Sequence, residues 1–279
     1  MKDSNVGKFS HAVIQIVFIL LTISLVFPFL WLVLNSFKTN IEFYKDIWAF
    51  PEIPQIQNYV KAWTEVGLSK YFLNSVVVTL LGTGASVLSA AMPAYVVAKF
   101  KFRGRNFVYN LAVLGMVIPG ICSFGSLYKL MIQTNLINSH LGLIIYYSGG
   151  LGMGFVILYG FFKSISWSYA EAAYIDGASD WYVFTKIMLP LARPGLAALA
   201  LVNGINIWND YFAPSMFLHN EELYTVSVGL QKMVVKQSYS ADWTTLFAAL
   251  IMAAIPILII YVIFHEKIID GFSTGGLKG

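Results

Sequence analysis

Charge is what this chain has least of. Asp, Glu, Lys and Arg make up 11% of its 279 residues, against 58% hydrophobic ones, and the mean hydropathy is +0.69. A soluble domain carries roughly 25% charged residues. One aqueous core cannot hide this much apolar surface, so the bilayer must act as solvent. Cysteine is almost missing as well. Cys122 stands alone in an apolar run, which excludes an intrachain disulfide and a thiolate metal site, and it reads as a small filler between helices. There is no Gly-x-x-x-x-Gly-Lys-Ser/Thr stretch, so no P-loop binds ATP. There is no His-Glu-x-x-His, and His11, His140, His219 and His265 are scattered without ligand spacing, so no bound metal is expected. The glycines of 149–154 lack the dinucleotide-binding register and lie inside an apolar run. No Ser-His-Asp set can be assembled, and no enzymatic activity is expected of the chain itself. The net charge of +4 and pI near 9.0 do not mark a nucleic-acid binder, because the basic residues sit at the ends of apolar runs.

What is present is a series of long apolar segments. A spanning helix needs about 20 apolar residues. Six segments qualify, at 12–36, 71–98, 107–128, 141–162, 196–218 and 243–264, and of these only 196–218 holds an acidic or basic residue well inside it, Asp210. The runs are continuous rather than alternating, which favours helices over a barrel. The first run follows Lys2 and Lys8, is too long for a signal-peptide core and has no cleavage site after it, so it reads as an uncleaved span. Six spans put both termini on one side. Eleven of the 18 basic residues fall on the side of the termini, with the Lys-Phe-Lys-Phe-Arg-Gly-Arg cluster at 99–105 the strongest signal, so the termini are expected inside. The expected fold is an all-α membrane protein with six transmembrane helices.

Small residues recur every fourth position in the second span, at Gly82, Ser86, Ala90, Ala94 and Ala98, and Gly150 and Gly154 repeat the spacing in the fourth. Such stripes let helices approach closely in lipid. Pro28, Pro93, Pro119 and Pro256 lie within spans and can kink them. The segments 38–70 and 219–242 read as loops on the far side. Their content fits an extracytoplasmic partner or, for the aromatic residues of the first, an interfacial belt.

The polar insert at 164–195 stands out because membrane helices are usually joined by short loops. Ser168 and Glu171 have capping-box spacing, Gly177 can stop a first short helix, Ser179 or Asp180 can start a second, and Pro190 should end it near Met188. Trp181, Phe184, Ile187 and Leu189 can anchor one face, while Ala172 and Ala173 keep the tip narrow. Two readings fit: a docking wedge, or helices lying on lipid. Asp176 and Asp180, with Glu171, nearly balance Lys163, Lys186 and Arg193, which weakens the attraction to anionic lipid.

The run Glu171-Ala172-Ala173, Asp176-Gly177-Ala178, Phe184, Ile187, Leu189-Pro190 resembles the EAA motif of inner-membrane permease subunits of binding-protein-dependent ABC importers. The tail Gly275-Gly276-Leu277-Lys278, the Trp208-Asn209-Asp210 segment and Tyr71-Phe72-Leu73-Asn74-Ser75 resemble the second permease subunit of maltose-type sugar importers. The resemblance implies a type I importer permease fold with cytoplasmic coupling helices, in a bacterial cell (inner) membrane with both termini cytoplasmic. Its parts would be an N-terminal helix and extracytoplasmic loop (1–69), a permease core (70–264) and a cytoplasmic tail (265–279). It further implies four protein partners: a homologous second permease, two cytoplasmic ATPase subunits that hold ATP and Mg, and an extracytoplasmic solute-binding protein. The substrate would be a sugar. The same fold carrying an amino acid, phosphate or a metal is the alternative. By this resemblance Glu171, Ala172, Ala173, Asp176, Gly177, Ala178, Ile187, Leu189 and Pro190 couple to the ATPase, and Gly275, Gly276 and Lys278 reach the ATPase dimer.

Asp210 needs its own reading, since a carboxylate inside a span is expensive and faces a cavity or a partner. With Asn206, Trp208 and Asn209 it forms either part of the substrate path, by stacking and hydrogen bonding to sugar, or an interhelical clamp.

Overall fold

The computed structural model describes residues 3–117, 120–149 and 151–276, so Lys2, Pro119, Gly150 and Lys278 lie outside the described residues. Every regular element among the described residues is helical. The chain divides into two compact units, Met1–Ser69 with Leu230–Ile255, and Lys70–Gly229 with Pro256–Gly279.

The first unit opens with α1, Asp3–Ser36. It is apolar on all sides, and none of the hydrophobic window of its span Val13–Ser36 is buried within the chain. A helix of that kind needs lipid or another membrane chain around it. Two short helices follow in the segment expected to be a loop, α2 (Asn40–Lys45) and α3 (Gln57–Thr64). A capping box starts α2. Glu42 N–H donates to Thr39 Oγ1 at 3.1 Å, and Thr39 N–H donates to the Glu42 carboxylate at 2.7 Å. A second carboxylate ties the unit together: Asp242 accepts from Asn40 Nδ2 at 2.9 Å and from Lys61 Nζ at 2.6 Å. Trp31, Phe43 and Phe247 pack edge to face around them. Lys38 is fully buried. Burial pulls its pKa down, and its ammonium donates to the Asp46 carbonyl at 3.0 Å.

The second unit is built on α4, Leu68–Lys99. Its small-residue stripe is an interface. Gly82, Ser86, Ala90 and Ala94 are buried, and a Cβ at Gly82 would lie 3.3 Å from both Tyr147 and Ile207. Next come α5 (Arg105–Val117), α6 (Gly120–Gln133), α7 (His140–Tyr147), α8 (Met153–Ser164) and α9 (Ser168–Ile175). Helices Asp180–Leu191, Arg193–Asn209 and Phe212–Phe217 continue the chain. The segment 219–242, expected as a loop, contains a 15-residue helix, Val226–Ser240.

Three expected spans are single helices: Val13–Ser36, Leu68–Lys99 and Trp243–Phe264. Pro28, Pro93 and Pro256 are carried inside continuous helices. The other three expected spans are broken. The 141–162 run is split into α7 and α8 before Gly152, whose φ of +105° suits glycine. The 196–218 run stops at Asn209, passes through extended Asp210 and resumes at Phe212. The 107–128 run is divided between α5 and α6, on either side of residues outside the description. Helices Asp180–Leu191 and Arg193–Asn209 meet at 75°, and counting each such bent pair as one span raises the total from three to five. Hydropathy measures how apolar a segment is, not whether its backbone runs straight.

Candidate functional site

The insert at 164–195 folds as two short helices joined by a glycine turn, as its punctuation implies. Helix α9 ends in a Schellman motif: Gly177 N–H donates to the Tyr174 carbonyl and Ala178 N–H to the Ala173 carbonyl, both at 3.0 Å. Gly177 has φ +77°, the left-handed conformation that glycine adopts without strain. Ser179 then caps the next helix, its Oγ accepting from Tyr182 N–H at 3.3 Å. Tyr174 bridges the two helices, its hydroxyl donating to Asp180 at 2.7 Å. Burial and that hydrogen bond push the Tyr174 hydroxyl above its ordinary pKa, so it remains a donor.

Two local expectations fail. Ser168 is not an N-cap. Trp167 occupies that position without a side-chain bond, and Ser168 pairs with the Ser166 hydroxyl at 2.8 Å, so Glu171 closes no capping box. Pro190 does not end the second helix at Met188. Residues Val183–Met188 form a π-helical stretch, and the helix runs on to Leu191. The wider π register relieves the clash that a proline ring makes with the carbonyl four residues earlier. Pro194 lies in the first turn of Arg193–Asn209, where a missing N–H is free.

The loop stands on an apolar foundation. Ala170, Ala173, Val183, Phe184, Met188 and Ala192 are buried in one cluster with Tyr95 of α4 and Phe155, Leu158 and Phe162 of α8. Ile187 and Leu189 pack against it as expected. Trp181 touches it only at the edge: its ring is tilted against Phe184 at 5.8 Å and it is 62% exposed. The loop after α4 joins the same face, with Phe100 edge-on to Trp167 at 5.6 Å and the Lys99 ammonium donating to the Ile165 carbonyl. Above this base Glu171, Ala172, Asp176 and Gly177 are exposed, Ala178 and Pro190 half-buried. The motif therefore has two faces. Ala173, Ile187 and Leu189 belong to the base, and the acidic tip around Glu171 is free to meet something else. Gly275 and Gly276 fall in the last turn of Trp243–Gly276, and Lys278 lies outside the described residues.

A second feature is polar. A cleft of about 560 Å³ is lined by Asn203, Asn206, Asn209, Asp210, Tyr146 and Tyr147, among others. Asp210 sits at the helix break and ties it. It accepts from Tyr147 Oη at 2.8 Å through one oxygen and from Phe212 N–H at 2.8 Å through the other, while its carbonyl accepts from Ser227 Oγ at 2.6 Å. It is thus a clamp, and it also faces the cleft. Asn203 donates to Ser86 at 2.8 Å across to α4. Trp208 is buried edge-on to Phe72 at 5.3 Å and is not part of the cleft wall. The aromatic wall is Tyr146 and Tyr147 instead. Their position beside the glycine run at 149–154 was the available signal.

A two-helix loop with a buried apolar base and an exposed acidic tip, carried by long apolar helices, is the architecture of a membrane protein. The match to the family model for the binding-protein-dependent transport system inner membrane component extends over residues 82–271, and the chain belongs to that family. It is 34% identical, over 99% of its length and 90% of the relative's, to the diacetylchitobiose uptake system permease protein NgcG of Streptomyces coelicolor. It is 31% identical to the arabinooligosaccharides transport system permease protein AraQ of Halalkalibacterium halodurans, over 91% of each. In fold it matches a chain of a bacterial ABC transporter involved in import of the acidic polysaccharide alginate, with a TM-score of 0.81 at 23% identity, covering 95% of this chain and 98% of that one. The fold is that of a type I ABC importer permease.

Proposed function

We propose that this chain is one permease subunit of an ATP-driven sugar or oligosaccharide importer. It forms half of the translocation path in a bacterial cell membrane, with both termini and the Glu171 loop on the cytoplasmic side. A homologous second permease supplies the other half, two ATPase subunits carry ATP and Mg, and an extracytoplasmic solute-binding protein delivers the sugar. The chain catalyses no covalent chemistry and holds no cofactor of its own. The family and the substrates named for its relatives support this reading.

The observation that carries the mechanism is the two-faced loop. Its acidic tip is exposed while its base is packed into the ends of α4 and α8, so a push on Glu171 moves those helices as a block. Alternating access follows when two arrangements of the bundle are biased by ATPase closure. The cleft supplies amides at Asn206 and Asn209, and Tyr146 and Tyr147 offer ring faces of the kind on which sugars stack. Asp210 holds the helix break that shapes this wall. The tail residues Gly275, Gly276 and Lys278 are the further contact with the ATPase pair that the family resemblance implies.

Replacing Glu171 by Lys tests the coupling. The expected result is assembled complex that hydrolyses ATP without accumulating sugar, read in paired uptake and ATPase assays on proteoliposomes. Unchanged uptake would refute the coupling role.

A further inference from the structure

The basic turn between α4 and α5 is used by nothing described so far. Lys101, Phe102 and Arg103 are exposed, and a cleft of about 240 Å³ is lined there by Lys101, Arg105 and Asn106 with the rings of Phe102 and Phe107. Among the described residues no carboxylate lies in ion-pair range of Lys101, Arg103 or Arg105. Arg105 is fixed in place. Its Nε donates to the Val97 carbonyl at 2.7 Å and one terminal nitrogen to Ala98 at 3.4 Å, the last turn of α4. A guanidinium has five N–H donors, so three remain beyond these two bonds. An apolar stripe starts at the cleft and runs along α5: Phe107, Leu111 and Leu114 are 71%, 50% and 55% exposed at helical spacing. Uncompensated cations at the head of an uncovered apolar stripe match one chemistry, a phosphate ester joined to hydrocarbon chains.

We infer that this turn is a binding site for an anionic phospholipid, with the headgroup phosphate drawn to the turn's three cations, the exposed Lys101 and Arg103 and the anchored Arg105, and an acyl chain along Phe107, Leu111 and Leu114. A soluble acidic protein would satisfy the cations and leave the stripe bare. The turn shares a face with the Glu171 loop, through Phe100 against Trp167 and Lys99 on Ile165, so the lipid would brace the base that the loop pushes against. The inference rests on the membrane-subunit reading but not on sugar as cargo.

The test uses the complete transporter, this chain with its co-assembled chains, stripped of lipid in mild detergent. Phosphatidylglycerol or phosphatidylcholine is titrated in and retention is read by native mass spectrometry, with no transport or ATP involved. The intact complex should prefer phosphatidylglycerol. Each cation near anionic lipid contributes roughly fivefold in affinity, so Lys101→Gln with Arg103→Gln should weaken retention roughly 25-fold. Lys101→Arg with Arg103→Lys should keep it. Equal retention of the two lipids by the intact complex overturns the inference, and that comparison needs no variant to fold. Undiminished retention by the Gln pair also overturns it, as does loss of the ATPase chains from that variant, which would mark a protein interface. A failed Glu171→Lys experiment leaves the lipid result standing.

Discussion

Two short-helix assemblies in this chain are held by different means. The loop spanning 168–191 is fastened by apolar burial of Ala170, Ala173, Val183, Phe184 and Met188, with one side-chain hydrogen bond, Tyr174 to Asp180, between its two helices. The segment carrying α2 and α3 adds carboxylate ties to the ring packing of Phe43. Glu42 bonds both Thr39 and the Glu52 N–H, and Asp242 gathers Asn40 and Lys61. Apolar packing is close-fitting and non-directional, so it moves as a block when one part is displaced. Hydrogen-bonded carboxylates fix orientation and register but depend on charge. A loop that must transmit force suits the first kind of joint. A segment that must keep a shape suits the second.

The largest break in this contrast is Phe184→Ala. The ring is 5% exposed and tilted against Tyr95 at a centroid distance of 5.0 Å. Removing it opens a cavity beneath the loop, for which Phe→Ala costs about 3 to 5 kcal/mol. The expected outcome is a lower melting temperature of the detergent-purified complex and uptake near background. Trp181→Ala, three positions away but exposed, should stay within about 0.5 kcal/mol of the parent. Similar losses at both positions would mean that the apolar base is not what holds the loop.

Asp242→Asn probes the other joint. The change leaves Lys61 with no carboxylate partner, and a hydrogen bond to a charged group contributes about 1.5 to 3 kcal/mol. Burial raises the Asp242 pKa, but hydrogen bonds from Lys61 and Asn40 outweigh it and hold the carboxyl below its ordinary value of 3.8. A carboxyl depressed in the folded state stabilises it fully above the unfolded pKa. That contribution disappears as pH falls through the folded pKa. The difference in melting temperature between parent and variant should therefore be constant from neutral pH down to about 5 and shrink only in stronger acid. A difference that grew on acidification would contradict the assignment.

Much of this was legible in sequence, for identifiable reasons. Continuous apolar runs at 71–98 and 243–264 became single helices because nothing in them interrupts the backbone, prolines included. Gly177 stopped α9 because a positive φ was required there. The breaks at Asp210 and before Gly152 were hidden, since hydropathy sums side chains and ignores backbone path. The Asp210 break is set by tertiary bonds from Tyr147 and Ser227, which lie 63 and 17 positions away. Its place beside Asp210 in sequence offers Trp208 as the stacking ring of a substrate path or as part of a clamp. Helical rotation instead turned Trp208 onto Phe72. A proline usually ends a helix, so Pro190 reads as a stop in the sequence, whereas a π stretch lets one pass.

The smallest effect gives the sharpest discrimination, since it concerns two segments with the same Ser/Thr-x-x-Glu spacing. Thr39 and Glu42 close a capping box, while Ser168 and Glu171 do not, because Trp167 rather than Ser168 takes the N-cap position. Thr39→Ala removes a cap and should cost about 1 kcal/mol. Ser168→Ala removes only an exposed contact with Ser166 and should change stability by less than about 0.5 kcal/mol. Thermal unfolding of the two variants side by side measures the difference directly. Equal costs would mean that Ser168 caps α9 after all, and that Glu171 is tied into its own helix rather than free at the tip.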